Sequence, residues 1–157
     1  MRAKDRFSVD FHASRRAAGS ANPKTEKSPM TIAEACLFAA VLIYLLTLAP
    51  AKVGGHREYD NGDPRNPDFY KDPLRARVLG AHQNGIETFP LFAAAVLLAE
   101  FRAAPQAWVD MLGASFILIR LAYVLAYLGD KSTLRSILWG LGFAINTVLF
   151  FLPAFKR

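Results

Sequence analysis

Residues 78–99 read VLGAHQNGIETFPLFAAAVLLA, a run long enough to cross the hydrocarbon core of a membrane as one helix. Glu87 is the only charged residue in this run. Three further stretches, at 31–50, 107–128 and 134–153, are similar in length and apolar character. The four stretches together contain five of the 32 Asp, Glu, Lys and Arg residues in the chain. This distribution predicts an all-α integral membrane protein with four transmembrane helices, and it argues against a soluble enzyme or a disulfide-stabilised scaffold.

The lengths of the connections predict how the helices are arranged. Two connections, at 100–106 and 129–133, are short, and short connections join antiparallel neighbours. We therefore expect an up-down four-helix bundle in the lipid bilayer, with both termini on one side. The first connection, at 51–76, is longer and rich in turn-forming pairs. The side that holds it carries eight Lys and Arg residues: Lys52, Arg57, Arg65, Lys71, Arg75, Arg77, Lys131 and Arg135. The opposite side carries three without residues 1–29 and ten with them. A chain that starts at residue 30 therefore predicts a cytoplasmic first loop, whereas the full chain leaves the orientation open, and we favour the first loop inside.

The first 29 residues differ in composition from the rest. They mix Ser, Ala, Gly and Pro with seven Lys or Arg and three acidic residues, and they show no sustained apolar periodicity. Residues 1–29 are therefore predicted to be a disordered tail, and residues 30–157 the membrane domain. An alternative is that the chain starts at Met30. Because the tail accounts for four units of the net charge of +6, no basic stripe remains that would predict a nucleic-acid partner.

Polar side chains recur at helical spacing inside two of the apolar stretches. Ionisable groups at membrane depth are costly, so they usually face the interior of a bundle or a subunit interface. The spacing places them on one stripe of each of two helices: Arg77, Asn84 and Glu87 on the second, and Arg120, Tyr123 and Tyr127 on the third. These stripes predict a functional site.

Simpler structural interpretations remain open for the same residues. Glu87 and Arg120 could form a buried ion pair that holds two helices together. Trp139 and the two tyrosines could be interfacial aromatics, and Arg135 could extend to the lipid headgroups. His82 lacks a second ligand at a useful spacing, so no metal site is expected.

The run at 75–92, RARVLGAHQNGIETFPLF, resembles the second-helix signature of the MAPEG superfamily, the membrane-associated proteins in eicosanoid and glutathione metabolism. That signature has Arg, Ala, Asn-x-x-Glu and Pro in order. Residues 120–129, RLAYVLAYLG, and 134–136, LRS, look like the third helix and the start of the fourth helix in the same superfamily. The resemblance covers about residues 30–155, and the first loop is similar to that of bacterial members.

The resemblance implies a homotrimer of four-helix subunits in a bacterial inner membrane, with glutathione bound between subunits near the cytoplasmic face. It implies conjugation or peroxide reduction of a hydrophobic electrophile that arrives through the lipid. Arg135 matches the arginine that stabilises the glutathione thiolate, assisted by Ser136 and Tyr127. The remaining matches are expected to bind glutathione: Arg77, Gln83, Asn84, Glu87, Arg120, Tyr123 and Trp139.

Two departures from the family pattern bear on the reaction. Gly80 stands where glutathione-using eukaryotic relatives often carry Arg, and Gln83 at a position that is Arg in some of them. Because Gly80 and Gln83 carry no positive charge, we expect weaker binding of the two glutathione carboxylates than in those relatives. Two other functions therefore stay open. One is a small multidrug-type transporter that uses Glu34, and the other is a non-catalytic MAPEG-like membrane protein.

Overall fold

The computed structural model describes residues 29–155, and the regular secondary structure in this range is entirely helical. The predicted tail lies outside the described residues except for Pro29, as do Lys156 and Arg157. The helices are α1 (Ile32–Thr47), α2 (Ala49–Gly54), α3 (Pro73–Phe101), α4 (Gln106–Leu128) and α5 (Ser132–Phe151), with short 3-10 turns at Phe69–Lys71 and Leu152–Phe155.

Four helical segments are long and apolar enough to cross a membrane. They are Ile32–Gly54, Pro73–Phe101, Gln106–Leu128 and Ser132–Phe155. This finding confirms the predicted all-α fold with four membrane-spanning helices. The first segment combines α1 and α2, which follow each other across Leu48.

The second spanning helix begins earlier than its apolar stretch, which starts at residue 78. Asp72 is the N-cap of α3, and its carboxylate accepts hydrogen bonds from the backbone N–H groups of Leu74 and Arg75, both at 3.0 Å. Pro73 occupies the first helical position, where its missing N–H costs no helical hydrogen bond. The cap and the proline therefore extend α3 beyond its apolar stretch towards the first loop.

The two central helices of the bundle are α3 and α4. Each packs against the other and against α1 and α5, whereas the backbones of α1 and α5 do not come close to each other in the described range. Phe92 of α3 stacks on Phe116 of α4 with ring centroids 4.0 Å apart, and both side chains are buried. At one end of the bundle, Asp110 accepts a hydrogen bond from the backbone N–H of Ala33 at 2.8 Å. The first turns of α1 and α4 therefore meet at the same end of the bundle.

The first loop folds against the opposite end of the bundle. Phe69 is buried there, with the rings of Tyr59 and Tyr70 edge-on at 5.3 and 5.0 Å. The guanidinium of Arg75 lies 4.5 Å from the Phe69 ring centroid and donates to Glu58 at 2.6 Å. These contacts make the loop a structured cap over the start of α3.

The contact between α1 and α3 depends on a glycine. A β-carbon at Gly85 would overlap the ring of the buried Tyr44. Gly85→Ala should therefore lower the free energy of unfolding by about 1–3 kcal/mol, because the buried ring has no space to move into. Gly140→Ala is the matched control, since a β-carbon there meets no atom within 4 Å. Unfolding in detergent would measure both variants, and equal stabilities would contradict the assigned packing.

Candidate functional site

Arg120 of α4 lies at the centre of the polar residues and is only 2% exposed. Its Nη1 and Nη2 groups both donate to Oδ1 of Asn84 on α3, each at 3.1 Å. Glu87 is exposed and forms no ion pair within residues 29–155, so the interpretation of a Glu87–Arg120 ion pair is wrong. The physical reason is that the Asn84 amide supplies the buried acceptor that the guanidinium needs.

A row of cations and aromatic rings runs from Arg120 to the start of α5. The Arg120 guanidinium lies 4.3 Å from the ring centroid of Tyr123, and Tyr123 meets Tyr127 edge-on with centroids 5.7 Å apart. Arg135 completes the row, with its guanidinium 4.4 Å from the Tyr127 ring centroid. Cations are attracted to the negative faces of aromatic rings. The structure therefore brings together four of the predicted residues from α4 and α5.

Gly80 gives Tyr127 its place in this row. A β-carbon at Gly80 would lie 2.5 Å from the Tyr127 hydroxyl oxygen, which is too close for any side chain. Gly80, where eukaryotic relatives often carry Arg, therefore leaves the space that Tyr127 occupies. Because α3 has no side chain at this point, the Tyr127 hydroxyl can lie directly against the surface of α3 at Gly80.

Arg77 contacts the end of α4 rather than the aromatic row. Its Nε donates to the backbone oxygen of Leu128 at 3.3 Å, and its Nη1 lies 3.8 Å from a carboxylate oxygen of Asp130. These contacts tie the start of α3 to the connection that precedes α5. They place Arg77 at the same end of the bundle as Arg135.

Gln83 and Ser136 lie away from the row in this single chain, and Trp139 lines the same small cavity as Arg120. Gln83 lines a separate cavity of about 430 Å³ between α3, the end of the first span and the first loop. Ser136 is exposed, and its hydroxyl donates to the backbone oxygen of Ser132 at 3.2 Å. Trp139 stacks on Phe143 of the same helix with centroids 5.7 Å apart.

Two residues near Arg120 were not among the predicted site residues. Tyr44 of α1 is buried, with its ring centroid 5.9 Å from the Arg120 guanidinium. Asn146 of α5 is 1% exposed and lines a cavity together with Arg120. A signal for both exists in the sequence, since each is a polar residue in the middle of an apolar stretch. Their partners lie on other helices, however, so spacing along one helix does not connect them to Arg120.

Comparison with known proteins agrees with this architecture. The MAPEG family profile matches residues 32–155, which include all four membrane-spanning segments and the aromatic row. No curated protein and no solved structure matched the chain. Because the match covers most of its length, the chain belongs to the MAPEG family.

Proposed function

We propose that the protein is a glutathione-dependent membrane enzyme that conjugates or reduces hydrophobic electrophiles. The observation that carries this proposal is the environment of Arg135. Its guanidinium is half-buried against Tyr127, and no carboxylate within residues 29–155 forms an ion pair with it. A cation without a carboxylate partner at the end of a membrane bundle is suited to holding an anionic ligand.

The proposed chemistry is stabilisation of a thiolate. A free thiol has a pKa of about 8.5 and is mostly protonated at neutral pH, whereas the thiolate is the nucleophile. A guanidinium in a site of low dielectric constant favours the anion and lowers the thiol pKa. In this proposal Arg135, which lies over the Tyr127 ring, supplies the charge. The hydroxyls of Tyr127 and Ser136 then donate hydrogen bonds to the sulfur, and for Ser136 this hydrogen bond replaces the one to the backbone oxygen of Ser132. The thiol proton passes to solvent.

In conjugation the thiolate forms a bond to the electrophilic carbon and displaces its leaving group, which is chloride for a chlorodinitrobenzene. In peroxide reduction the thiolate attacks one peroxide oxygen and breaks the O–O bond to release an alcohol, and a second glutathione converts the resulting sulfenic acid to glutathione disulfide and water.

Glu87 supports binding of the tripeptide between subunits. Its carboxylate is exposed on a membrane-spanning helix and has no hydrogen-bond or ion-pair partner in the described part of the chain. Exposure of an ionised carboxylate to lipid is energetically unfavourable, so we expect a second subunit or a bound ligand to cover Glu87. The ammonium group of glutathione is a suitable partner, with Asn84 and Gln83 nearby in sequence. We therefore propose a homotrimer with one glutathione at each subunit interface, which native mass spectrometry in detergent can test.

Charge at the two ends of the bundle supports a cytoplasmic site. The first loop, the start of α3 and the connection between α4 and α5 lie at one end, as the contact of Arg77 with Asp130 shows. This end holds most of the Lys and Arg residues outside the tail. The positive-inside rule then orients it towards the cytoplasm. We propose a bacterial inner membrane as the location, on the similarity of the first loop to bacterial members.

The transporter alternative is disfavoured by the position of Glu34. Its side chain accepts the backbone N–H of Thr31 at 2.8 Å, and the Thr31 hydroxyl accepts the N–H of Glu34 at 3.1 Å. This reciprocal pair caps the N-terminus of α1, and Glu34 is exposed there. A carboxylate engaged in a cap at the end of a span is poorly placed to carry protons through the middle of the bundle.

Glutathione should stabilise the purified protein against thermal unfolding. At 100 times its dissociation constant, a ligand that binds only the folded state contributes about 2.7 kcal/mol. S-methylglutathione is the matched control, because it keeps the peptide but cannot form a thiolate, and we expect it to raise the unfolding temperature less. Transfer of glutathione to a chlorodinitrobenzene should accompany the shift. Stabilisation without transfer would favour the non-catalytic alternative, and the absence of any shift would reject glutathione as the ligand.

A further inference from the structure

The cavity of about 430 Å³ that Gln83 lines lies where the first loop meets the bundle. Its cationic lining residues come from two separate parts of the chain, Lys52 from α2 and Arg65 from the first loop, and α3 adds His82. No acidic side chain from residues 29–155 lines this cavity, and no residue of the aromatic row does. The cavity therefore combines positive charge with hydrogen-bond donors, and it is separate from the row that ends at Arg135.

The connection that supplies these cations is neutral as a whole. Residues 51–76 contain five Lys or Arg and five Asp or Glu residues. Lys52 and Arg65 form no ion pair within residues 29–155. Four of the five carboxylates are engaged elsewhere: Glu58 with Arg75, Asp68 with Lys71, Asp60 with the N–H of Gly62, and Asp72 as the N-cap of α3. The folded connection therefore leaves positive charge at the cavity without a carboxylate to balance it.

Hydrogen bonds hold two sides of the cavity in place. On the loop side, the Tyr70 hydroxyl donates to the backbone oxygen of Pro64 at 3.4 Å, and Pro64 directly precedes Arg65. On the α3 side, Nδ1 of His82 donates to the backbone oxygen of Tyr44 at 2.8 Å, since a carbonyl oxygen can only accept. A ligand that enters the cavity therefore meets a site that is largely formed already, which is typical of binding cavities.

A phosphate group suits this site. Its oxygens are arranged as a tetrahedron, so cations on different elements can reach it from several directions, whereas the two oxygens of a carboxylate lie in one plane. Arg binds phosphate through two parallel hydrogen bonds, and Lys binds it as a point charge. The cavity also has an apolar part that includes Leu79 and Ile86, and Ile86 is 54% exposed on a membrane-spanning helix. An apolar substituent on the phosphate could therefore extend from the cavity into the membrane.

We propose that this cavity binds a phosphate group, carried either by the headgroup of an anionic phospholipid or by a soluble phosphate ester. Arg65 and Lys52 balance its negative charge. The binding uses neither Arg135 nor a thiol. It therefore goes beyond the proposed glutathione chemistry, and either proposal can fail without the other.

Thermal unfolding in an uncharged detergent, without glutathione, tests the proposal. Phosphatidylglycerol in the micelles should raise the unfolding temperature, and diacylglycerol with the same acyl chains should not, because it lacks the phosphate. Glycerol phosphate distinguishes the two sources. A shift with both phosphate compounds would show that the phosphate is sufficient, and a shift with phosphatidylglycerol alone would show that the acyl chains are needed as well. Equal shifts with phosphatidylglycerol and diacylglycerol, or no shift with either phosphate compound, would overturn the proposal.

Variants of the lining cations assign the binding to the cavity. Arg65→Gln and Lys52→Gln should each raise the phosphatidylglycerol concentration at half of the shift by about ten-fold, because each removes a charge-assisted hydrogen bond. Arg57→Gln is the matched control, since Arg57 is exposed on the same loop, does not line the cavity and carries the same charge. It should leave the midpoint unchanged. Equal midpoints in the Arg65→Gln and Arg57→Gln proteins would show only general attraction to the loop and would overturn the proposal.

Competition with glutathione separates this site from the proposed thiol site. Saturating glutathione should leave the midpoint for phosphatidylglycerol unchanged in the unmodified protein. Loss of the phosphatidylglycerol shift would show that a carboxylate of glutathione occupies the cavity, and it would also overturn the proposal.

Discussion

Arg135→Ala should lower the rate of glutathione transfer to a chlorodinitrobenzene at neutral pH by about 100-fold or more, the typical effect of removing a group that stabilises a reacting anion. The variant should still fold, since Arg135 is half-buried, lies over the face of Tyr127 and forms no ion pair with any residue in 29–155. Steady-state rates in detergent, with unfolding temperatures measured in parallel, would separate the loss of chemistry from a loss of structure.

The pH dependence distinguishes thiol activation from weaker binding. If Arg135 stabilises the thiolate as proposed, the rate should reach its plateau below the pKa of the free thiol, about 8.5. In the Arg135→Ala protein, the rate should keep rising until the pH reaches the pKa of the free thiol, about 8.5. Thiolate absorbance of the bound glutathione should follow the same curves. Arg135→Lys keeps the charge and should retain part of the activity.

Arg102→Ala is the matched control for this experiment. Arg102 is exposed and forms the C-cap of α3, close to the end of the bundle opposite Arg135. It should leave both the rate and the pH profile unchanged. A normal rate in the Arg135→Ala protein would reject the proposed role of Arg135.

Asn84→Leu should destabilise the protein by about 3 kcal/mol, the largest effect on stability that we expect from a single substitution. Asn84 Oδ1 accepts hydrogen bonds from both Nη groups of the Arg120 guanidinium. Leucine has a similar volume but no acceptor, so the variant leaves a buried charge without compensation. The measurement is the midpoint of denaturant or thermal unfolding in detergent, without glutathione.

The double variant tests the physical reason for this loss. Arg120→Met removes the charge itself, so Asn84→Leu combined with Arg120→Met replaces the polar pair by two apolar side chains. Replacing a whole buried polar pair is often much less costly than breaking it. We therefore expect the double variant to be more stable than Asn84→Leu alone. A double variant that is equally or less stable would show that side-chain packing, rather than an uncompensated charge, dominates at this position.

The sequence was most informative where the physical constraint acts along one helix. The grouping of Arg120, Tyr123 and Tyr127 could be predicted because residues three and four apart lie on the same face of a helix. The same reasoning did not identify the partner of Arg120. Glu87 and Asn84 are both on α3 and only three residues apart, and charge alone favours Glu87 as the partner. The choice of Asn84 depends on how α3 is rotated against α4.

By itself, the sequence determined the number of membrane-spanning helices and the family. The reason is that length and apolar character are local properties, and a bilayer selects helices that satisfy their backbone hydrogen bonds internally. Only the tertiary structure decided which polar groups meet. It paired Arg120 with Asn84, fitted Tyr127 against Gly80, directed Gln83 towards a separate cavity and placed Asn146 beside Arg120. These contacts join different helices, so they depend on helix rotation and close packing, which no single segment of the chain encodes.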